Sequence, residues 1–126
     1  MFDKFQIYYQ PKENSLEGFK SLTISYYEFD EKHQTYRQKI VLEKDGAKYK
    51  IKKYLGAFGA IKPFLQNLAL DSYKSSDVNP GDEYFYIKYG DKTIMTSDRE
   101  DISSILNFAR FDEILKYDLS EYKKCD

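Results

Sequence analysis

Polar and apolar residues alternate through much of the first half of the chain, and that two-residue period predicts strands. Residues 4–10 alternate up to Pro11 and predict a first strand. Residues 12–20, with Glu, Asn, Ser and Gly, read as a loop. Residues 21–29 predict a second strand, with Leu22, Ile24 and Tyr26 on one face and Thr23, Ser25, Tyr27 and Phe29 on the other. Residues 30–34 are polar and fit a hairpin connection. A third strand follows over 35–44, with Tyr36, Gln38, Ile40 and Leu42 sharing a face. Asp45-Gly46 is the strongest short hairpin signal, because a type I′ turn needs φ > 0 at both central residues. A fourth strand over 47–55 sets Tyr49, Ile51 and Leu55 against Lys48, Lys50 and Lys52.

The period then lengthens. Phe58, Ile61, Leu65 and Leu68 recur at helical spacing, and Pro63 is tolerated only in a first turn. This predicts a helix from about residues 60–62 to Ser72. Residues 73–82 read as a loop with an Asn79-Pro80-Gly81 turn. Residues 83–89 and 92–96 predict two more strands joined at Gly90-Asp91. Ser97 and Glu100 have the spacing of a capping box, with Ser97 as N-cap. Ile102, Ile105, Leu106 and Ala109 trace one helical face, which Phe111, Ile114, Leu115 and Leu119 continue after a kink near Arg110. Residues 120–126 read as a peripheral tail.

The order ββββ-α-ββ-α, with hairpin-linked strands, predicts an α+β fold. It implies one domain over residues 1–126, with about six mostly antiparallel strands and helices on one face. Composition supports a packed domain, since Leu, Ile, Val and Phe together number 31 of 126 residues. Thirteen Tyr and nine Phe make up an unusually large aromatic share, and the tyrosines must supply part of the packing. Formal net charge is −1, against the footprint of a general nucleic-acid binder. The charge is uneven along the chain. Residues 1–62 hold 12 basic and 8 acidic side chains, while 63–126 hold 8 and 13. Mild attraction between the halves of one domain is the simplest reason for that split.

Candidate chemistry is sparse. The one Cys, Cys125, and the one His, His33, build neither a nucleophile–base pair nor a zinc site. No cofactor and no metal is expected. The N-terminus lacks a signal-peptide pattern, and no apolar run is long enough to span a membrane, so a cytoplasmic location is expected. Glu28 and Asp30 share a strand face, and Asp98, Glu100 and Asp101 crowd a helix start. Helix polarity and capping already account for the second group. Gly56 and Gly59, with Lys62 beyond them, suit a tight strand-to-helix turn and lack the rest of a phosphate-binding loop.

Two features remain. Tyr84 and Tyr86 face away from Phe85 and Ile87, as Tyr27 and Phe29 face away from the Leu22 row. The four aromatics are candidates for a protein-binding patch on the uncovered side of the sheet. Lys48, Lys50, Lys52 and Lys53 form a basic stripe, read first as a guarded edge strand and second as a contact for an anionic partner. The leading expectation is therefore a non-enzymatic module that occupies a partner protein's surface, as an immunity, toxin-neutralising or mobile-element inhibitor protein does. The alternatives are a nucleic-acid binder using the lysines with tyrosine stacking, and a carboxylate-based hydrolase.

Overall fold

A computed structural model describes residues 5–12, 19–32, 35–52 and 61–125; the side chains of 19, 20, 27–30, 35–37, 61 and 62 lie outside the description. The strands are β1 (Phe5–Gln10), β2 (Phe19–Asp30), β3 (Thr35–Lys44), β4 (Ala47–Ile51), β5 (Tyr84–Tyr89), β6 (Lys92–Thr96) and β7 (Tyr122–Lys124). The helices are α1 (Ile61–Gln66), α2 (Ser103–Ala109) and α3 (Phe111–Leu115). Short 3₁₀ turns occupy Leu70–Ser72, Arg99–Ile102 and Leu119–Glu121.

The strands form a single antiparallel sheet in the order β6-β5-β1-β2-β3-β4-β7, so the α+β class and the helix-covered antiparallel sheet hold. β1 sits at the centre. It pairs β2 on one side and β5, brought in by the helical crossover, on the other. Asp45 and Gly46 both have positive φ, 51° and 79°, as the I′ turn between β3 and β4 requires.

Period-two patterning places one apolar row on each strand, and the register aligns them. Phe85, Tyr9, Leu22 and Leu42 form one line across the sheet. Ile94, Ile87, Ile7, Ile24 and Ile40 form the next. Tyr89, Phe5, Tyr26 and Gln38 form the third. The helical side chains Leu65, Ile102, Ile105, Leu106, Ala109, Phe111 and Ile114 close over this face and are buried. Much of the aromatic excess is spent here. Phe5 stacks on Tyr26 at 5.6 Å and lies near Phe64, Tyr89 and Phe108. Phe64 and Phe108 stack at 3.9 Å. Tyr9 packs edge-on to Phe111 at 4.8 Å. The buried Tyr26 hydroxyl accepts from Gln38 Nε2 at 2.7 Å, and burial holds it far above the ordinary tyrosine value.

Four local readings change. The helix expected to reach Ser72 stops at Gln66, where the chain unwinds and carries Leu70 into the core. Ser97 is not the N-cap. Asp98 fills that role, accepting from Glu100 N at 2.9 Å, and the Ser97 N–H that a capping box would offer to Glu100 donates instead to Ser76 Oγ at 3.3 Å. The expected fourth strand, 47–55, pairs only over Ala47–Ile51, and residues 53–60 lie outside the description. The supposed peripheral tail contributes a seventh strand. β7 pairs with β4, burying Tyr122 opposite Ile51, and burial pushes the Tyr122 hydroxyl up to about 12. Three residues with one apolar anchor are too short to show a period.

The kink near Arg110 is a left-handed residue, φ 57° and ψ 42°, between α2 and α3. An L side chain there costs about 1–2 kcal/mol, and glycine gives back part of the gain through its freer unfolded chain. Arg110→Gly is expected to raise stability by about 0.5–1 kcal/mol, read as a higher urea midpoint at unchanged slope. Its ion pair with Glu113, 3.9 Å and half-exposed, contributes little against this.

Candidate protein-binding face

Sheet alternation sends every second residue to the side opposite the core rows. None of the described helices packs there. Across the middle of that face the register aligns Met95, Tyr86, Tyr8, Thr23, Val41, Lys50 and Lys123, one residue from each strand. A neighbouring line runs Thr93, Lys88, Gln6, Ser25 and Lys39. The result is a graded surface, aromatic over β5 and β1, neutral over β2, mixed over β3 where Lys39 and Glu43 flank Val41, and basic over β4 and β7.

Tyr84 and Tyr86 lie on this face and are half-buried. Tyr8 lies between β5 and β2 beside them, its ring 6.1 Å from that of Tyr84. The Tyr8 hydroxyl donates to Gln10 Oε1 at 2.9 Å. Burial first, and Tyr8 second, hold the Tyr84 hydroxyl above its ordinary value, so it stays protonated near neutrality. Met95 is 37% exposed beside Tyr86, a large apolar side chain open to solvent.

Tyr27 and Phe29 belong to β2 by backbone, but their side chains lie outside the description. By register they fall past the Phe5–Tyr26 pair, at the opposite end of the strands from Tyr84. β1 also separates β2 from β5. Tyr8 is the residue that sequence reading missed. Ile7 pointing to the core already turned Tyr8 outward, but only the non-local β1–β5 pairing sets it beside Tyr86.

The basic stripe changes its setting. Lys48 and Lys50 are exposed on this same face, but β4 is not an edge, because β7 pairs along it. Lys123 stands directly opposite Lys50. Lys52 donates to the Ser120 carbonyl at 2.9 Å and helps tie the C-terminal segment down. Lys53, His33, Gly56 and Gly59 lie outside the described residues. At the other edge, β6 is guarded by the 73–82 loop. Ser76 N donates to the Met95 carbonyl at 2.9 Å, and Ser75 Oγ accepts from Met95 N at 3.2 Å.

Two of the carboxylates at the start of α2, Asp98 and Asp101, have structural partners. Asp98 caps the first turn, and Asp101 accepts from the buried Thr96 hydroxyl at 3.3 Å. Among the described residues no group of three or more His, Cys, Asp or Glu is placed to hold a metal ion. The side chains of Glu28 and Asp30 are outside the description.

A polar cluster ties the sheet to the helices. Tyr9 Oη donates to Glu83 Oε1 at 2.7 Å, and Arg99 grips both Glu83 oxygens at 2.5 and 3.2 Å. The guanidinium also lies 5.8 and 5.5 Å from the Phe85 and Phe111 ring centres. Burial pushes Glu83 upward, but hydrogen bonds from Arg99 and Tyr9 outweigh it and hold the carboxyl below its ordinary 4.5. A lowered folded value means that Glu83 stabilises the fold fully above about pH 4.5 and progressively less as pH falls through the lowered value. Glu83→Gln is expected to cost about 1–2 kcal/mol at pH 7, the solvent-facing Arg99 limiting the figure. In urea titrations from pH 7 to pH 3, the gap between the parent and this variant should close with acid. A constant gap would refute the charge-based account.

Among the described residues no helix is long and apolar enough to cross a membrane. Comparison with protein-family models, curated proteins and solved structures finds no match to this chain.

Proposed function

We propose that the protein is a non-enzymatic binding module that occupies the surface of a partner protein through the helix-free face of its sheet. The observation that carries this reading is the grouping of Tyr8, Tyr84, Tyr86 and Met95 on one side of the sheet, away from the helices. Tyrosines supply large contact area at low entropy cost, and they are enriched in the desolvated centre of interfaces. An inhibitor, immunity or toxin-neutralising role in the cytoplasm suits such a surface, since binding itself is then the function.

The test is affinity capture from the native host, with the protein and its Tyr84→Ala/Tyr86→Ala variant as parallel baits. Loss of a specific protein from the variant supports the reading, provided circular dichroism shows the variant folded. Equal capture by both baits moves the interface elsewhere. Nucleic acid as the species retained, with nuclease treatment abolishing capture, would replace the proposal with the second reading.

A further inference from the structure

Charge is unevenly divided between the two sides of the molecule, and both halves of the chain supply lysines to the helix-free face. Lys39, Lys48, Lys50, Lys88 and Lys123 are exposed on the helix-free face, and Glu43 is the carboxylate among its described strand positions. The helical side carries Asp98, Glu100, Asp112 and Glu113, all exposed. Arg99 pairs with Glu83 and Asp112 on that side, and Arg110 with Glu113. The expected attraction between chain halves does not place these sheet lysines against the helical carboxylates. They point away from them, and like charges gathered on one face repel until a partner compensates.

Resting on the protein-binding reading above, we infer that the partner is an acidic protein. It would set an apolar side chain over Tyr8, Tyr86 and Met95 and a cluster of carboxylates over Lys39, Lys50 and Lys123. The arrangement is that of an interface, an aromatic centre beside a charged rim. Seven strands about 4.8 Å apart and roughly 17–20 Å long present on the order of 500 Å² in projection, and more once side chains stand on it. That approaches the roughly 800 Å² per partner of a standard complex.

The layout fits a protein better than a nucleic acid. A single strand needs cations that track its backbone beside the stacking rings. Tyr86 and Lys50 are four strand spacings apart, about 19 Å, with Thr23 and Val41 between. Lys88 alone among these lysines shares a strand with the outward-facing tyrosines. A second copy docking face to face would bring few carboxylates to these lysines, since Glu43 is the acidic side chain among the described strand positions of this face.

The experiment uses the full chain, labelled with ¹⁵N, at about 0.15 M salt where surface charges are screened beyond about 8 Å. The probes are poly-L-glutamate and an oligothymidylate of equal charge. Poly-L-glutamate is expected to move the amide signals of Lys39, Lys50 and Lys123 and to bind more tightly than the oligothymidylate. Lys50→Glu/Lys123→Glu is expected to weaken it at least tenfold. Tighter binding of the oligothymidylate, signals shifting on the helical side, or an unchanged affinity in the double variant would each overturn the inference. So would a concentration-dependent dimer of the free chain in sedimentation that the lysine variant leaves intact. Host capture separates this from the broader reading. A partner lost with Tyr84→Ala/Tyr86→Ala but kept with Lys50→Glu/Lys123→Glu removes the acidic partner and leaves the protein-binding face standing.

Discussion

Phe5→Ala is expected to destabilise the fold by about 3–5 kcal/mol, the largest effect of any single substitution considered. Phe5 is fully buried. It lies on the central strand, paired to Tyr26 on one side and Tyr89 on the other. Its ring is also where the helical layer meets the sheet, with Phe64 at 6.3 Å and Phe108 at 6.5 Å. Truncation therefore removes the transfer free energy of the ring and leaves a cavity walled by other rigid rings. Those rings cannot collapse into it without giving up the 3.9 Å stack of Phe64 on Phe108. Against a total stability of about 5–15 kcal/mol, the variant should show a far lower urea midpoint and enhanced amide exchange throughout. A loss below about 1 kcal/mol would mean that the two layers are not joined through this ring.

Tyr84→Ala/Tyr86→Ala is expected to raise the dissociation constant for the captured partner about 30-fold or more, since even one central aromatic anchor contributes about 2 kcal/mol or more when truncated. The fold should survive. Cross-strand aromatic pairs contribute roughly 0.2–1 kcal/mol each, well inside the margin of a domain of this size. Titration calorimetry with the purified partner reads the change directly, and thermal melts of the free variant report the stability side. Tyr8→Phe is the informative companion. It keeps the ring and removes the hydrogen bond to Gln10, so it should bind within a few-fold of the parent if ring area is what the partner uses. An unchanged constant in the double alanine variant would place the contact off this face.

The amino-acid sequence by itself determined the local grammar of this protein. Alternation set which side chains of β1, of β2 from Ser21 to Tyr26, of β3 from Gln38 onward and of β5 face the core, and Asp45-Gly46 imposed its turn; the register shift between Tyr26 and Glu28 breaks the period beyond. The helical period placed Ile102, Ile105, Leu106 and Ala109 against the sheet. The outward direction of Tyr84, Tyr86, Lys48 and Lys50 was legible for the same reason. These are properties of a chain with two periods, and each is read within a few residues. Only the tertiary structure decided the order of the strands. β1 and β5 are joined across more than half the chain, and no short-range pattern encodes that pairing. It adds Tyr8 to the aromatic group, and it offsets Tyr27 and Phe29 from Tyr84 along the strands. Pairing of β7 with β4 likewise turned a presumed edge into an interior strand and brought Lys123 to Lys50. A candidate site on a sheet face is a statement about neighbouring strands, and neighbourhood is set by the packing of the whole core.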